Sequence, residues 1–205
     1  MTSTKERAYP VSIPSTDELR QLLLACRTRS PSGLRDRALL GLLAGAGLRV
    51  GEALLLVPGD LDFEAGLLTV RRGKGGRARV VGVSLEAVGL VGQWLERRAQ
   101  LGITGRKVPL FCGISKHRLG APLRAGCVRA MLRRRALRAG ITGKRVHPHA
   151  LRHYHAATLS RQGTPVAAIQ QQLGHSNLGT TSIYLAHVAP DEVRRAVAAL
   201  PTVLV

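Results

Sequence analysis

Apolar residues recur at helical spacing along most of the chain, and this pattern predicts a mostly helical protein. Ser15 and Glu18 have the spacing of a capping box, which predicts that the first helix begins there. The stretch 33–47 is almost wholly apolar, so we expect it to form the central helix of the core. The predicted helices span residues 15–27, 33–47, 48–56, 84–100, 123–139, 148–162, 165–173, 179–187 and 191–200.

Two runs of alternating or β-branched residues flank a glycine-rich turn, and this arrangement predicts an antiparallel hairpin. The runs are residues 67–72 and 77–83, and the turn 73–76 between them carries Lys74 at its tip. A further short strand is predicted over 108–112. The expected fold class is therefore α+β, mostly α-helical, with a small antiparallel β-sheet.

The chain has 205 residues, the length of one domain. Residues 1–14 predict a short N-terminal arm ahead of a main domain over 15–189. Residues 190–205 are predicted to form a last helix and a tail. The tail is more apolar than a tail exposed to solvent needs to be. We expect this segment to pack either on the protein's own core or on a neighbouring protomer, and the sequence favours neither.

Charge is distributed unevenly along the chain. There are 31 Lys and Arg residues against 12 Asp and Glu, which gives a formal net charge of +19. Between residues 97 and 190 the sequence has 16 Lys and Arg residues, all 7 histidines and no acidic residue, so this stretch supplies no salt-bridge partners of its own. Of the 31 basic residues, 26 are Arg, whose guanidinium binds phosphate through two parallel hydrogen bonds. We therefore expect a nucleic-acid partner.

Cysteine usage and hydropathy indicate the cellular compartment in which the protein is found. The three cysteines are widely spaced and form no Cys-x-x-Cys pair, so neither a disulfide framework nor a zinc ribbon is predicted. The longest apolar run, residues 38–48, is shorter than a membrane span, and the first ten residues lack the apolar core of an export signal. We expect a cytoplasmic, nucleoid-associated protein with no membrane partner.

The sequence does not support the common cofactor sites. The 73–76 turn lacks the upstream glycine and the following Ser or Thr of a nucleotide-binding phosphate loop. Acidic residues alternate over 60–64 as in a calcium loop, but the turn glycine and the bidentate glutamate are missing, so we interpret them as a polar turn. His149 and His153 have one zinc spacing, yet Arg152 lies between them in the acid-free stretch. We expect no metal and no cofactor.

The remaining polar residues suit phosphoryl transfer without a metal. Attack on a phosphodiester builds negative charge on the non-bridging oxygens, so a site needs fixed positive donors, a nucleophile and an acid for the leaving oxygen. His149 and Arg152 are three residues apart on a predicted helix and share one face. Arg49 follows the most apolar helix, where an arginine is either functional or an ordinary surface residue after a glycine stop.

Five short motifs follow one another along the chain. They are Gly47-Leu-Arg-Val-Gly-Glu52, Gly73-Lys-Gly-Gly-Arg-Ala-Arg79, His149-Ala-Leu-Arg-His153, Leu173-Gly-His175 and Thr180-Thr-Ser-Ile-Tyr184. In order and spacing they resemble the boxes of the tyrosine recombinase, or phage integrase, family. The resemblance covers residues 15 to about 195 and implies the catalytic-domain fold that this family shares with type IB topoisomerases.

The resemblance also implies a role for each matching residue. Tyr184 would be the nucleophile, attacking the scissile phosphate to form a 3′-phosphotyrosine link and a free 5′-hydroxyl. Arg49 and Arg152 would bind the non-bridging oxygens, and His175 would donate a further hydrogen bond there.

The resemblance implies roles in proton transfer or in positioning for four further residues. His149 would help to move the tyrosine proton, and Lys74 would protonate the leaving 5′ oxygen. Glu52 and His153 would orient the residues that touch the phosphate. The tyrosyl ester retains the energy of the broken bond, so rejoining would need no ATP.

Other basic residues are expected to contact the DNA backbone without reading its sequence. The candidates are Arg72, Arg77, Arg79, Arg129, Arg133, Arg134, Lys144 and Arg145. Arg135 and Arg138 lie on the same predicted helix as Arg129 and are assigned to the backbone as well.

The implied function is site-specific recombination of double-stranded DNA. The family resemblance implies a homotetramer during synapsis, a monomer or weak oligomer when free, and accessory DNA-bending proteins as further partners. Since about 14 residues precede the main domain, the N-terminal core-binding domain of the family is expected to be absent, and the chain is either a minimal single-domain recombinase or a fragment. Two alternatives stay open: relaxation of DNA as by a type IB topoisomerase, and an inactive DNA-binding regulator with the same fold.

Overall fold

The computed structural model of the protein describes residues 13–71, 78–142 and 146–174. Within these ranges the chain forms seven α-helices and three short β-strands, which confirms the expected mostly helical α+β fold. The helices are α1 (Thr16–Leu24), α2 (Pro31–Ala46), α3 (Val50–Leu55), α4 (Leu85–Gln100), α5 (Ala125–Arg138), α6 (Pro148–Arg161) and α7 (Val166–Leu173). The strands are β1 (Leu61–Asp62), β2 (Leu67–Val70) and β3 (Arg79–Gly82), and 3₁₀ turns lie at Pro58–Asp60 and Lys116–Arg118.

Side-chain caps confirm two of the predicted helix starts. Ser15 Oγ accepts a hydrogen bond from the Glu18 amide at 3.1 Å, and the Glu18 carboxylate accepts one from the Ser15 amide at 2.7 Å. This is the complete capping box that the sequence predicted for α1. Ser84 Oγ accepts from the Ala87 amide at 3.4 Å and caps α4.

Helix α2 is the centre of the core, as its apolar sequence predicts. Leu39, Leu40, Leu42 and Leu43 project from different sides of the helix, and each is at most 1% exposed. Helices α4 and α6 cover most of its surface, and α1 and α3 also pack on it. Because α2 is buried all round, it fixes the position of the helices that pack on it, including α6.

The three strands form one antiparallel sheet in the order β1-β2-β3. Leu68 on β2 lies opposite Val81 on β3, and both side chains are buried. The two arms of the predicted hairpin are thereby confirmed, whereas the turn that carries Lys74 lies outside the described residues. Strand β1 was not predicted, because alternation cannot show in two residues.

The strand predicted over 108–112 is wrong. Its last residue forms an isolated bridge to Pro122, and no ladder grows from it. Pro122 has no amide hydrogen and cannot donate a ladder bond, and the neighbouring Gly113 amide donates to the Ala121 carbonyl at 2.7 Å. The segment is held by single bonds instead, among them one from Trp94 Nε1 to the Leu110 carbonyl at 2.8 Å.

Some predicted segments lie outside the described residues. They are residues 1–12 of the arm, the helices over 179–187 and 191–200, and the tail over 190–205. These segments and the predicted domain limits remain predictions. No helix in the described ranges is long and apolar enough to cross a bilayer.

Two helices end at a glycine in the left-handed conformation beside the candidate site. Helix α2 ends at Gly47 and α7 at Gly174, each with φ of 64°. Left-handed glycine closes a helix while its last carbonyl groups still need donors. A Cβ on Gly47 would lie 2.6 Å from the His155 ring and 2.9 Å from the Leu173 side chain, so α6 and α7 leave no room for a larger residue.

Replacement of Gly47 should therefore separate these helices. We expect Gly47→Ala to lower the free energy of unfolding by about 2–4 kcal/mol, from left-handed strain and overpacking together. Gly89→Ala is the control, because Gly89 lies within α4 and an added Cβ would meet no neighbouring atom within 4 Å, so this change should raise stability by about 0.5–1 kcal/mol. Urea unfolding measures both changes. Equal stability of the two variants would contradict the packing described for Gly47.

Candidate active site

Arg152 is a buried cation whose guanidinium joins two helix ends. It lies on α6 and is 1% exposed. Its Nη1 donates to the Gly47 carbonyl at 2.7 Å, and its Nη2 donates to the Leu173 carbonyl at 2.5 Å. These carbonyls belong to the C-terminal ends of α2 and α7, where the helix dipole is negative and orphan acceptors need donors. The two helix ends therefore stabilise a charge that burial alone would penalise.

Arg49 lies at the start of α3, two residues after the capping Gly47 that follows α2. Its backbone amide donates to Glu52 Oε2 at 2.9 Å and its Nη1 donates to Glu52 Oε1 at 2.9 Å. Its Nη2 lies 3.4 Å from the Gly174 carbonyl, which follows directly on the Leu173 carbonyl that holds Arg152. The side chain is 25% exposed, so this guanidinium is oriented and still open to a ligand.

The structure thus brings together two arginines that lie about a hundred residues apart in sequence. Both bind near the C-terminal end of α7, through the consecutive carbonyls of Leu173 and Gly174. The sequence could predict that both arginines belong to one site, but it could not predict the acceptors that position them.

Glu52 is the carboxylate that neutralises this part of the site. Burial by itself would raise the pKa of its side chain, but hydrogen bonds and charge from Arg79 and Arg49 outweigh burial and lower the pKa to about 2. The carboxylate is 5% exposed, and each of its two oxygens accepts a hydrogen bond from both arginines. Glu52 therefore stays ionised at neutral pH and holds Arg49 as a fixed donor.

Arg79 binds the same carboxylate as Arg49. Its Nη1 and Nη2 donate to the two oxygens of Glu52, each at 2.9 Å. Its Nε lies 3.4 Å from the Gln172 carbonyl, and its side chain is 13% exposed. The guanidinium is thus engaged within the protein by Glu52, and its contact with the DNA backbone remains a prediction.

Arg135 is not the surface residue that the sequence predicted. It was assigned to the DNA backbone with its neighbours on α5, but it is buried and donates to Asp36 at 2.6 Å. The buried carboxylate of Asp36 on α2 pairs with this arginine. The sequence of α5 gives no sign of this distant partner. By contrast Arg129, Arg133, Arg134 and Arg138 are exposed, and their contact with DNA remains a prediction.

His149 lies on the exposed side of the first turn of α6. Its ring centroid is 6.5 Å from that of His147 and 6.2 Å from that of His153. Partial burial lowers its pKa, and the positive charges of Arg152, His147 and Arg49 lower it further. His149 is therefore mainly neutral at neutral pH and can accept a proton beside both arginines.

Two residues behind the arginines were not predicted from the sequence. His155 is buried, with Nδ1 2.9 Å from the Ala44 carbonyl, and Nε2 3.4 Å from Gln172 Nε2. Because a carbonyl oxygen only accepts, Nδ1 carries the donated proton, and Nε2 has none in the neutral ring. Burial lowers the pKa of His155 to about 4, in agreement. The Gln172 amide also bonds to both backbone groups of Gly82, at 2.9 Å and 2.7 Å, and so ties α7 to β3.

Several predicted site residues lie outside the described ranges. They are Lys74, His175 and Tyr184, together with the proposed DNA contacts Arg72, Arg77, Lys144 and Arg145. Gly174, which precedes His175, is the last residue described. Tyr154 is half-buried on α6 with its hydroxyl 3.3 Å from Thr16 Oγ1, so this tyrosine packs towards α1.

Acidic residues near β1 accept hydrogen bonds from backbone amides. Asp60 accepts from the Val57 amide at 2.9 Å and from Arg71 Nε at 2.5 Å. Asp62 accepts from the amides of Glu64 and Ala65, which confirms a polar turn. In the part of the chain that the structure describes, no group of three or more His, Cys, Asp or Glu side chains is placed to hold a metal ion.

A comparison of the sequence with known protein families identifies the family of this chain. The model of the phage integrase family matches residues 15–190, most of the chain. The chain belongs to the phage integrase family. Its fold is that of tyrosine recombinase catalytic domains, as the sequence resemblance implied.

Relatives within the phage integrase family are tyrosine recombinases. XerC of Xylella fastidiosa strain 9a5c is 40% identical over 157 residues, which is 77% of this chain and 50% of that protein. The crystal structure of XerA recombinase is 33% identical with a TM-score of 0.74, over 89% of this chain and 61% of that one. The post-cleavage complex of XerH site-specific recombinase with palindromic difH substrate is 25% identical with a TM-score of 0.70, over 92% of this chain and 54% of that one. The chain spans about half the length of the curated relatives it matches.

Removal of the Glu52 charge should destabilise the site in a pH-dependent way. A carboxyl whose pKa falls from 4.5 to about 2 on folding contributes about 3 kcal/mol above pH 4.5, and this contribution is lost as the pH falls towards 2. We expect Glu52→Gln to be less stable than the wild type at pH 7, with the gap narrowing between pH 4.5 and 2. Urea unfolding at several pH values measures the gap.

The exposed Glu64 provides the control for this experiment. Glu64→Gln should track the wild type across the same pH range, because a solvated carboxylate gains little on folding. A constant gap between Glu52→Gln and the wild type from pH 7 to pH 2 would contradict the assigned role of Glu52.

Proposed function

We propose that this chain is a site-specific DNA recombinase that cleaves and rejoins DNA through a 3′-phosphotyrosine intermediate, without metal or ATP. The observation that carries the proposal is the pair Arg49 and Arg152, held on consecutive carbonyls at the end of α7 with His149 beside them. Two fixed guanidinium groups suit a phosphate whose non-bridging oxygens gain charge during the reaction.

The described residues supply the electrostatic part of this reaction. The Arg49 guanidinium is oriented by Glu52 and remains partly exposed, so it can bind one phosphate oxygen without first reorganising. Arg152 is fixed from behind by Gly47 and Leu173. Because these contacts exist before DNA binds, little of the binding energy is spent on ordering the two arginines.

The covalent steps are assigned to residues by the family pattern. Tyr184 Oη forms a bond to phosphorus, the bond from phosphorus to the 5′ oxygen breaks, and the charge of the phosphate is unchanged at the end. The phenolic proton passes to neutral His149, and Lys74 gives a proton to the departing 5′ oxygen. His175 adds a hydrogen bond to the phosphate, and His153 supports His149, whose ring lies 6.2 Å from it.

Double-stranded DNA is the proposed partner. A relative of this chain, XerH, is described in complex with its difH substrate, and the net charge of +19 favours a polyanion here. The exposed α5 arginines Arg129, Arg133 and Arg134 would contact the backbone. We further propose a homotetramer during synapsis, accessory DNA-bending proteins as partners, and action on nucleoid DNA in the cytoplasm.

A covalent trap tests the proposed chemistry. The chain is incubated with a pool of randomised duplexes, each nicked in one strand so that a short 5′-hydroxyl fragment diffuses away after cleavage. We expect a DNA–protein adduct that survives denaturation, and sequencing of the trapped strands then identifies the target. Tyr184→Phe should bind the duplexes with unchanged affinity and form no adduct, since only the nucleophile is lost.

Tyr154→Phe is the matched control, because it removes a hydroxyl that contacts Thr16. This variant should form the adduct at the wild-type rate. Adduct formation by Tyr184→Phe would show that the nucleophile is misassigned. Binding without any wild-type adduct would favour the inactive regulator, and an adduct that relaxes supercoiled DNA without exchanging strands would favour the topoisomerase-like alternative.

A further inference from the structure

We propose that Arg79 is a positioning residue for Arg49, acting through Glu52, and that it couples the hairpin to the phosphate-binding arginines. The inference rests on the proposed function, in which Arg49 binds the scissile phosphate. It assigns Arg79 a task other than the DNA contact that its sequence position suggests.

Arg79 and Arg49 share both oxygens of one carboxylate. Arg79 donates to Oε1 and Oε2 of Glu52 in a bidentate pair, with both distances 2.9 Å. Arg49 donates to the same two atoms, through Nη1 to Oε1 and through its backbone amide to Oε2. The plane of a bidentate pair is fixed by its two parallel bonds, so Arg79 sets the orientation in which Glu52 meets Arg49.

Arg79 also contacts the second group that holds Arg49. A Cβ built on Gly174 would lie 2.8 Å from Arg79 Cζ, so the guanidinium lies directly against the Gly174 backbone. The Gly174 carbonyl accepts from Arg49 Nη2 at 3.4 Å. Both acceptors of the Arg49 side chain, Glu52 and Gly174, are therefore in contact with Arg79.

Strand β3 is fixed to α7 at both of its ends. At its first residue, Arg79 Nε lies 3.4 Å from the Gln172 carbonyl. At its last residue, both backbone groups of Gly82 bond to the Gln172 side-chain amide. A displacement of the hairpin must therefore move either Arg79, and with it Glu52, or the end of α7 that holds both phosphate-binding arginines.

Lys74 gives this coupling a functional consequence. It lies five residues before Arg79 in sequence, in the segment between β2 and β3. If the hairpin moves when the lysine engages DNA, Arg79 transmits the movement to Arg49 through a pair of hydrogen bonds. Lys74, the proposed acid for the leaving group, and Arg49, which binds the phosphate, would then reach their working positions together.

Arg71 provides a matched control on the same sheet. It follows β2, pairs with the carboxylate of Asp60, and its side chain is 67% exposed. Arg71→Gln and Arg79→Gln remove the same charge and each breaks one arginine–carboxylate pair, but only Arg79 adjoins Arg49. Differences between these two variants therefore report position and not net charge.

The first measurement is the rate of covalent adduct formation on the nicked duplex, together with duplex affinity at several salt concentrations. We expect Arg79→Gln to slow adduct formation roughly 10–100-fold relative to Arg71→Gln, as for other residues that orient a catalytic group. Affinity and its salt dependence should be equal for the two variants. Arg79→Lys should restore the rate only in part, because an ammonium cannot form the bidentate pair.

A direct phosphate contact gives a different result. Loss of one phosphate contact lowers the slope of log affinity against log salt by about 0.9. Such a drop for Arg79→Gln relative to Arg71→Gln would overturn the inference, and so would an adduct rate equal to that of Arg71→Gln.

The second measurement needs no activity and uses lysine variants, which keep the charge. In a sample labelled with ¹⁵N-arginine, the Nε signal of Arg49 is identified by its loss in Arg49→Lys. We expect Arg79→Lys to shift or broaden this signal and Arg71→Lys to leave it unchanged. An unaltered Arg49 signal in Arg79→Lys would overturn the inference. Failure of the wild type to form an adduct would count against the proposed function alone.

Discussion

A buried guanidinium that bridges two helix ends is the interaction on which the rest of this site depends. Arg152 has lost nearly all contact with water, and its charge is met by the carbonyls that close α2 and α7. The same α7 end accepts Arg49, so two like charges share one region. Glu52 and the negative ends of two helices offset the repulsion that this proximity creates. Without that compensation, the fold could not hold a preformed anion site.

The compensation is built from parts of the chain that are distant in sequence. Gly47 lets α6 and α7 approach the end of α2, and neutral His155 with Gln172 fills the space behind the arginines. Burial depresses the pKa of His155 to about 4, so this interior adds no further positive charge near neutral pH. The positive charge is thereby concentrated on the side of the site where Arg49 is partly exposed and His149 lies.

Local signals predicted the features that depend on local physics. Capping at Ser15 and Ser84, the apolar α2 and the arms of the hairpin all followed from neighbouring residues. Local signals failed where a distant partner decides the outcome. Arg79 and Arg135 have the sequence of surface cations, yet Glu52 and Asp36 hold them in the interior. Gln172 and His155 gave no signal, because their partners are backbone groups on other elements.

A crystal structure with a nicked duplex and orthovanadate, which takes the place of the scissile phosphate, would show whether the two arginines form one phosphate site. We expect one vanadate within hydrogen-bonding distance of the guanidinium groups of both Arg49 and Arg152, with the Gly47 and Leu173 carbonyls still bound to Arg152. A vanadate bound by one of these arginines alone, or by neither, would contradict the claim that the two helix ends assemble a single phosphate site.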